Sequence, residues 1–518
     1  MSDSEYVPTL YQMSSSETDT DTTDDDTTSS TKINSKSIFA KNDKVAWIDI
    51  VTEDDYIEIV TMVYEFIDEY LQEHVLELAD PDFHKTMLEY MTAILFEPWE
   101  DAGLCSSEID ADSDEEDNTV SIGSKKEQVS QDYLAVRAMV ETIIEEYYEI
   151  VQDIDNNQVF VPIRSHKTSA IVRSVNVEDV ESKIIYLQSL PQPAQRTPEW
   201  YEFRYQMISA SSLSKVFGSE AVVNSLIYEK CKPFQMPSYL EGPNSGYVNT
   251  SSPMHWGQKY EPLTRMMYEK IYSTEVADFG CIRHQQYPCI GASPDGINVN
   301  PTSERYGRML EIKNIVNREI DGIPSKPYWI QMQIQMETCN LDECDFLETR
   351  FIEYSDEETF WQDTEEEYRG VLLYFVDRVS IGLSGVSFLG RDDSVKESED
   401  INRIITSSVG GPHYEYMPLD IPLEKEAVDQ WINSTRTKLR RTHSLYETTF
   451  WKMADFSCVL VERNSAWFTR ALPQITNVWN TILQERQTGY EHRAAKKRLL
   501  KPTTTGLLVN KLFSENDA

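Results

Sequence analysis

Arg308-Met-Leu-Glu-Ile-Lys-Asn314 reads as a β-strand whose two faces differ. Successive side chains alternate across a strand, so Glu311 and Lys313 project together while Leu310 and Ile312 face the other way. An acid and a base on one face of an otherwise apolar strand are costly to bury without a purpose. A charge pair on a solvated face is the ordinary alternative. Upstream, Ser293-Pro-Asp-Gly296 has turn chemistry. Asp295 there either bonds its own backbone in an Asx-turn or, from the neighbouring strand, brings its carboxylate to that of Glu311. Two hard oxygen ligands at strand ends, with a backbone carbonyl and waters, are a usual cradle for Mg²⁺.

Working outward, residues 254–273 read as a helix, with Pro262 early in it and Glu261 in its first turns, where an acid also favours the helix dipole. Residues 276–284 and 289–292 read as strands and residues 325–340 as a helix, with a last strand at 345–354. On the second helix Gln331 and Gln335 lie four apart on one face, a spacing equally common on solvated helices. The order helix, three strands, helix, strand predicts a compact α/β unit.

The rest of the chain is organised around that unit. Residues 1–39 are rich in Ser, Thr and Asp and predict a disordered acidic tail. Residues 40–190 predict an acidic, mainly helical domain, interrupted by an acidic linker near 106–130. The prolines of 191–198 mark a linker, the unit itself occupies 191–390, helical patterns dominate 391–490, and 491–518 is a basic tail. Of 518 residues, 88 are acidic and 47 basic, a net charge of −41. Residues 1–190 hold 43 acids and 12 bases, so −31 of that charge sits in the first third. The remainder is nearly balanced and can still focus basic groups on a cleft, so the global charge does not exclude a phosphate-bearing partner. Seven scattered cysteines without a Cys-x-x-Cys pair predict free thiols and exclude a zinc or iron–sulfur centre built on close cysteines. The absence of a long apolar run or a signal-like start predicts a soluble, intracellular protein without a membrane partner.

Taken together, Glu261, the SPDG turn at 293–296, Glu311-Ile-Lys313 and Gln331 on a helix have the order of the PD-(D/E)XK nucleases, and the chain resembles the lambda-exonuclease and YqaJ-type viral recombination nucleases among them. Trp200-Tyr-Glu-Phe-Arg-Tyr-Gln-Met-Ile-Ser-Ala-Ser-Ser212 is similar to that family's opening motif, and Trp256-Gly-Gln-Lys-Tyr-Glu261 to its helix motif. The resemblance covers about 196–355 and extends to copies carried by large DNA viruses. It implies a restriction-endonuclease-like core, a mixed sheet flanked by helices, with an acidic helical region before it and a helical extension after it.

The resemblance also implies roles. Asp295, Glu311 and the Ile312 carbonyl would ligate Mg²⁺, or Mn²⁺ in its place, with Glu261 completing the site for a second ion directly or through water. Lys313 would orient and help deprotonate the attacking water, its amine made accessible by the neighbouring cation. Gln331 would hold that water or a phosphate oxygen. Arg204, Ser209 and Ser211 would bind a terminal 5′-phosphate, although serines there also suit a helix cap. The implied activity is a metal-dependent exonuclease acting 5′ to 3′ on linear duplex DNA in viral recombination, repair or genome processing. Its partners would be double-stranded DNA ends, a single-strand annealing recombinase and further copies of itself, in host cytoplasm, viral factory or virion. The alternatives are a structure-specific endonuclease of the same fold and a catalytically inactive DNA- or partner-binding protein.

Overall fold

The protein is described by a computed structural model covering residues 53–101, 131–154, 176–193, 197–234, 250, 252–365, 367–377 and 412–495. The expected acidic tail, the acidic linker near 106–130 and the basic tail beyond residue 495 lie outside the described residues. In chain order the first helices are α1 (Glu53–Glu73), α2 (Phe83–Asp101), α3 (Gln131–Ile154), α4 (Val177–Ser189) and α5 (Pro198–Tyr205). Strand β1 (Ile208–Ser209), the single turn α6 (Ala210–Leu213) and helices α7 (Glu220–Cys231) and α8 (Pro253–Tyr272) follow. Then come β2 (Val276–Ala277), β3 (Ile282–Arg283), β4 (Ile290–Ala292), β5 (Gly296–Asn298), β6 (Met309–Asn314), α9 (Lys326–Cys339) and β7 (Glu343–Glu353). The chain continues with α10 (Glu357–Gln362), β8 (Arg369–Asp377), β9 (His413–Tyr416), α11 (Lys425–Leu439), β10 (His443–Glu462) and α12 (Ser465–Thr488).

A seven-stranded mixed sheet, in the order β2-β5-β6-β7-β10-β8-β9, carries the fold, and a three-stranded sheet, β1-β4-β3, stands beside it. β6 and β7 run parallel, Glu311 opposite Phe346, and are joined through α9, as a parallel pair requires a crossover. The remaining pairs of the large sheet are antiparallel. α8 packs on the Leu310 and Ile312 face of β6, where Tyr268, Val276 and Leu347 complete a buried cluster. α9 covers the opposite face through Glu311. Its Ile330, Met332, Ile334 and Met336 are all buried, so α9 is enclosed almost all round.

Two expectations are corrected here. The segment 276–284 is two short strands in different sheets, because the chain crosses from β2 to β3 at Gly280, where a Cβ would press on Gln192. The C-terminal extension is not wholly helical. α11 and α12 are present, but between them β10 runs for 20 residues and pairs with both β7 and β8 inside the large sheet.

The boundary at residue 191 does not separate two cores. Ile184 and Leu187 of α4 and Leu78 ahead of α2 belong to the same buried apolar cluster as Trp329 and Trp467. Lys326 at the start of α9 is ion-paired with Asp80, and the Trp467 indole donates to the Leu76 carbonyl. A chain starting at residue 191 is therefore expected to lose the burial of Ile184 and Leu187 alone at roughly 1.5–3 kcal/mol each, and to melt at a lower temperature than the full chain in calorimetry. An unchanged melting temperature would contradict this packing.

Candidate active site and phosphate pocket

The SPDG turn links β4 to β5 and lies against β6. The Asp295 amide donates to the Leu310 carbonyl at 3.2 Å, and Asp295 Oδ2 accepts the Ile312 amide at 2.7 Å. Its carboxylate thus engages the neighbouring strand, unlike an Asx-turn side chain, which bonds its own loop. Gly296 is needed for close approach, since a Cβ there would collide with Val276 of β2.

Glu311 is 1% exposed, and its carboxylate is held on several sides. Lys313 Nζ donates to Oε1, the Gln331 amide donates to both oxygens at 2.8 Å, and the Gln335 amide donates to Oε2 at 2.8 Å. The four-residue spacing on α9 therefore places two amides on one carboxylate. Gln331, expected to face water or phosphate, contacts Glu311. Gln335, noted in the sequence only as its helical neighbour, shares that task. Lys313 Nζ also stands 4.9 Å from the centre of the Tyr328 ring.

The electrostatics follow from this crowding. Burial, and then the adjacent Glu311 carboxylate, push the Asp295 carboxyl well above the usual carboxylate range; Lys313 works against them and Glu261 adds to them. For Lys313, burial opposes the charge, but Glu311 and Asp295 outweigh it and raise the ammonium above its ordinary value. The depression expected of a lysine beside a cation is thus not the state set by these side chains themselves, which hold it charged.

A cavity of about 520 Å³ opens beside these groups, lined among others by Gly257, Glu261, Ile312, Lys313, Arg318 and Tyr328. Asn314 fixes its wall: the side-chain amide donates to the Gly257 carbonyl at 3.0 Å, and its oxygen accepts Thr264 and Thr349 hydroxyls at 2.6 and 2.7 Å. That clamp sets the first turns of α8 against β6 and brings Glu261 to the exposed rim. Among the described residues, no three His, Cys, Asp or Glu side chains gather as a metal-binding group. The donors that do converge are Asp295 and Glu311. They fit a hard divalent cation in charge and ligand type, and Ser293 Oγ and Gln335 Oε1 are buried beside them without a hydrogen-bond partner.

The expected phosphate residues are also together. Arg204 Nη2 donates to Ser209 Oγ at 3.0 Å and to Ser211 Oγ at 3.5 Å, and the two hydroxyls are 3.2 Å apart. The guanidinium lies over the Trp200 ring, 4.5 Å from its centre. Ser209 occupies the cap position of α6 but makes no capping bond with its side chain, which removes the reading of it as a helix cap. β1 runs parallel to β4, with Ser209 opposite Gly291. The pocket therefore sits one strand away from the end of β4 that delivers Asp295.

Lys230 was not singled out from the sequence, where it reads as a cation in the last turn of α7. Its ammonium donates to the Arg204 carbonyl at 3.0 Å, while Arg486 of α12 donates to the Lys230 and Tyr205 carbonyls at 2.8 and 3.0 Å. Burial, then the Arg204 charge, pull Lys230 down to about 8.

Residues 199–342 match the profile of the YqaJ-like viral recombinase domain. An uncharacterized protein of Acanthamoeba polyphaga mimivirus is 26% identical over 388 residues, which cover 71% of this chain and 64% of that protein. The chain thus matches under two thirds of that relative's length. Two crystal structures of LHK-Exo, an alkaline exonuclease from Laribacter hongkongensis, one of them in complex with dAMP, align at 15% identity over 56% of this chain and 95% of theirs, with TM-scores of 0.30 and 0.29. The six cysteines among the described residues are all free, and no helix among those residues is long and apolar enough to cross a membrane.

Proposed function

We propose, with residues 199–342 as a YqaJ-like viral recombinase domain, that this chain is a metal-dependent exonuclease that removes nucleotides from the 5′ end of linear duplex DNA. The observation that carries the reading is the pairing of two sites: an Asp295–Glu311–Lys313 group around the buried Glu311, and an Arg204–Ser209–Ser211 pocket on β1, the strand beside β4, whose end leads into the Asp295 turn.

Two divalent cations, Mg²⁺ or Mn²⁺, would be held by Asp295, Glu311 and the Ile312 carbonyl, with Glu261 completing the site for the second directly or through water; they would supply positive charge beside the scissile phosphate and acidify water there. Gln331 and Gln335 keep the Glu311 carboxylate in one orientation. Lys313, charged and at the cavity wall, donates to the attacking water or to a non-bridging phosphate oxygen and offsets the charge that grows in the transition state. Arg204 and the two serines fix the chain end, so the next phosphodiester is positioned rather than found by diffusion. Tyr328 and Arg318 line the side where the nucleotide would sit, and a cavity of about 520 Å³ is in the size range of small-ligand sites.

The test is digestion of linear and of covalently closed circular duplex by the full chain in Mg²⁺. Loss of the linear form with the circle intact is the expected result; rapid nicking of the circle would favour the endonuclease reading.

Lys230 gives this activity an expected pH dependence. The 5′-phosphate loses its second proton near pH 6 and stays dianionic above it, whereas Lys230 is charged below about 8 and neutral above. The preference for phosphorylated over hydroxyl ends should weaken as pH rises through that value, and Lys230→Arg should flatten the dependence. A preference constant across that range in the wild-type chain would remove Lys230 from the pocket's charge.

A further inference from the structure

We propose that the turn from α11 into β10 is a landing surface for single-stranded DNA; this rests on the exonuclease reading. Arg436, Lys438, Arg440 and Arg441 fall within six residues at the end of α11 and just beyond it, and all are exposed. Among the described residues none of the four has an ion-pair or side-chain hydrogen-bond partner. In a chain with 88 acids and 47 bases, four exposed cations this close together without an acidic partner run against the overall charge. Favourable interaction with the C-terminal end of α11 accounts for Arg436 and Lys438, which lie in its last turn. It does not account for Arg440 and Arg441, which lie beyond the helix.

One exposed ring follows the cations in the chain, with buried rings behind it. Tyr446 is 40% exposed at a register shift of β10 between Leu445 and Glu447. Its ring meets Tyr374 edge-on at 5.1 Å, Tyr374 lies 5.1 Å from Tyr414, and Tyr414 lies 5.8 Å from His255. The Tyr414 hydroxyl and His255 Nε2 are 2.6 Å apart, and His255 is buried, so these rings back Tyr446 from the interior. On the same edge the His413 and His443 rings lie 4.8 Å apart, and Glu415, a nearby acid, is engaged by His413 at 2.9 Å. Cations beside one exposed ring, Tyr446, suit an unpaired strand, whose bases are free to stack; a duplex, with its bases already stacked, would use the cations alone.

The experiment measures binding by the full chain in a chelator, so that no cleavage occurs. The probes are a blunt duplex and the same duplex with a single-stranded polythymidine extension of about 10 nucleotides, within the span such surfaces cover. The variant replaces Arg436, Lys438, Arg440 and Arg441 with Gln. On the extended probe its slope of log affinity against log salt should be shallower by about 3, at ~0.7 for each single-strand phosphate no longer neutralised. Tyr446→Ala should weaken the extended probe roughly tenfold or more, at the usual worth of one stacked base, and both variants should keep the wild-type affinity for blunt duplex. An unchanged slope overturns the proposal, and an equal loss on blunt duplex assigns the patch to duplex instead. Tighter binding by the variant also overturns it, because the cations would then be holding an acidic segment of the chain. A wild-type protein that digests no linear DNA in Mg²⁺ while showing the expected slopes would sink the exonuclease reading and leave this surface standing.

Discussion

Replacing Lys313 with Ala is expected to reduce the single-turnover rate of DNA hydrolysis by about 10²–10⁴-fold, the usual loss for one positioned proton-transfer or charge-stabilising group. The effect should fall on the rate and not on DNA binding, because Lys313 contacts Glu311 and the cavity and takes no part in the Arg204 pocket. Metal affinity, read by calorimetry with Mn²⁺, should be kept or raised, since the substitution removes a cation that competes for Glu311. Lys313→Arg should recover little, since a guanidinium does not reproduce a compact ammonium beside a buried carboxylate. A near wild-type rate for Lys313→Ala would return the residue to the role of a simple partner for Glu311.

The second large effect belongs to the chain end. Duplex carrying a 5′-phosphate should be digested faster than duplex with a 5′-hydroxyl, and Arg204→Ala should erase the difference. Hydrogen bonds to a charged partner are worth about 1.5–3 kcal/mol each, so the discrimination lost should be roughly 10–100-fold at 1.4 kcal/mol per decade. Mn²⁺ binding should be unaffected, because Arg204 holds Ser209 and Ser211 and touches neither Asp295 nor Glu311. Ser209→Ala separates the two explanations of that serine. A loss of phosphate preference without a loss of melting temperature marks a ligand, and the reverse marks a structural hydroxyl.

Much of this site was legible in the sequence because its signals are local. A strand that alternates Leu310, Glu311, Ile312 and Lys313 declares its two faces, and a turn rich in Ser, Pro, Asp and Gly declares itself by backbone chemistry. What the sequence hid is convergence across distance. Gln335 reads as one more polar residue on a helix until α9 folds onto β6 and its amide meets a carboxylate 24 residues earlier in the chain. Lys230 reads as a favourable helix-end charge until α7, α5 and α12 meet around Arg204.

The strand β10 was missed for a different reason. Its residues favour a sheet, with Thr448, Thr449, Phe450, Trp451 and Val459 to Val461 among them, and Thr449, Trp451 and Met453 are buried at alternate positions. The pairing register shifts at Leu445/Glu447 and again at Met453/Asp455, so the alternation changes phase twice within one strand. Val459 to Val461 are then buried consecutively. A period of two cannot be followed through such breaks, and the strongly helical patterns of α11 and α12 on either side dominate a window reading.

On the proposed reading, the Asp295–Glu311–Lys313 group cuts DNA inward from an end held by Arg204. That reading is tested most directly by the products released from a uniformly labelled, 5′-phosphorylated linear duplex in Mg²⁺. Mononucleotides should form from the first time point, with no oligonucleotide intermediates, and Glu311→Gln should abolish their release. Internal fragments that precede mononucleotides, or release that persists in Glu311→Gln, would contradict the account.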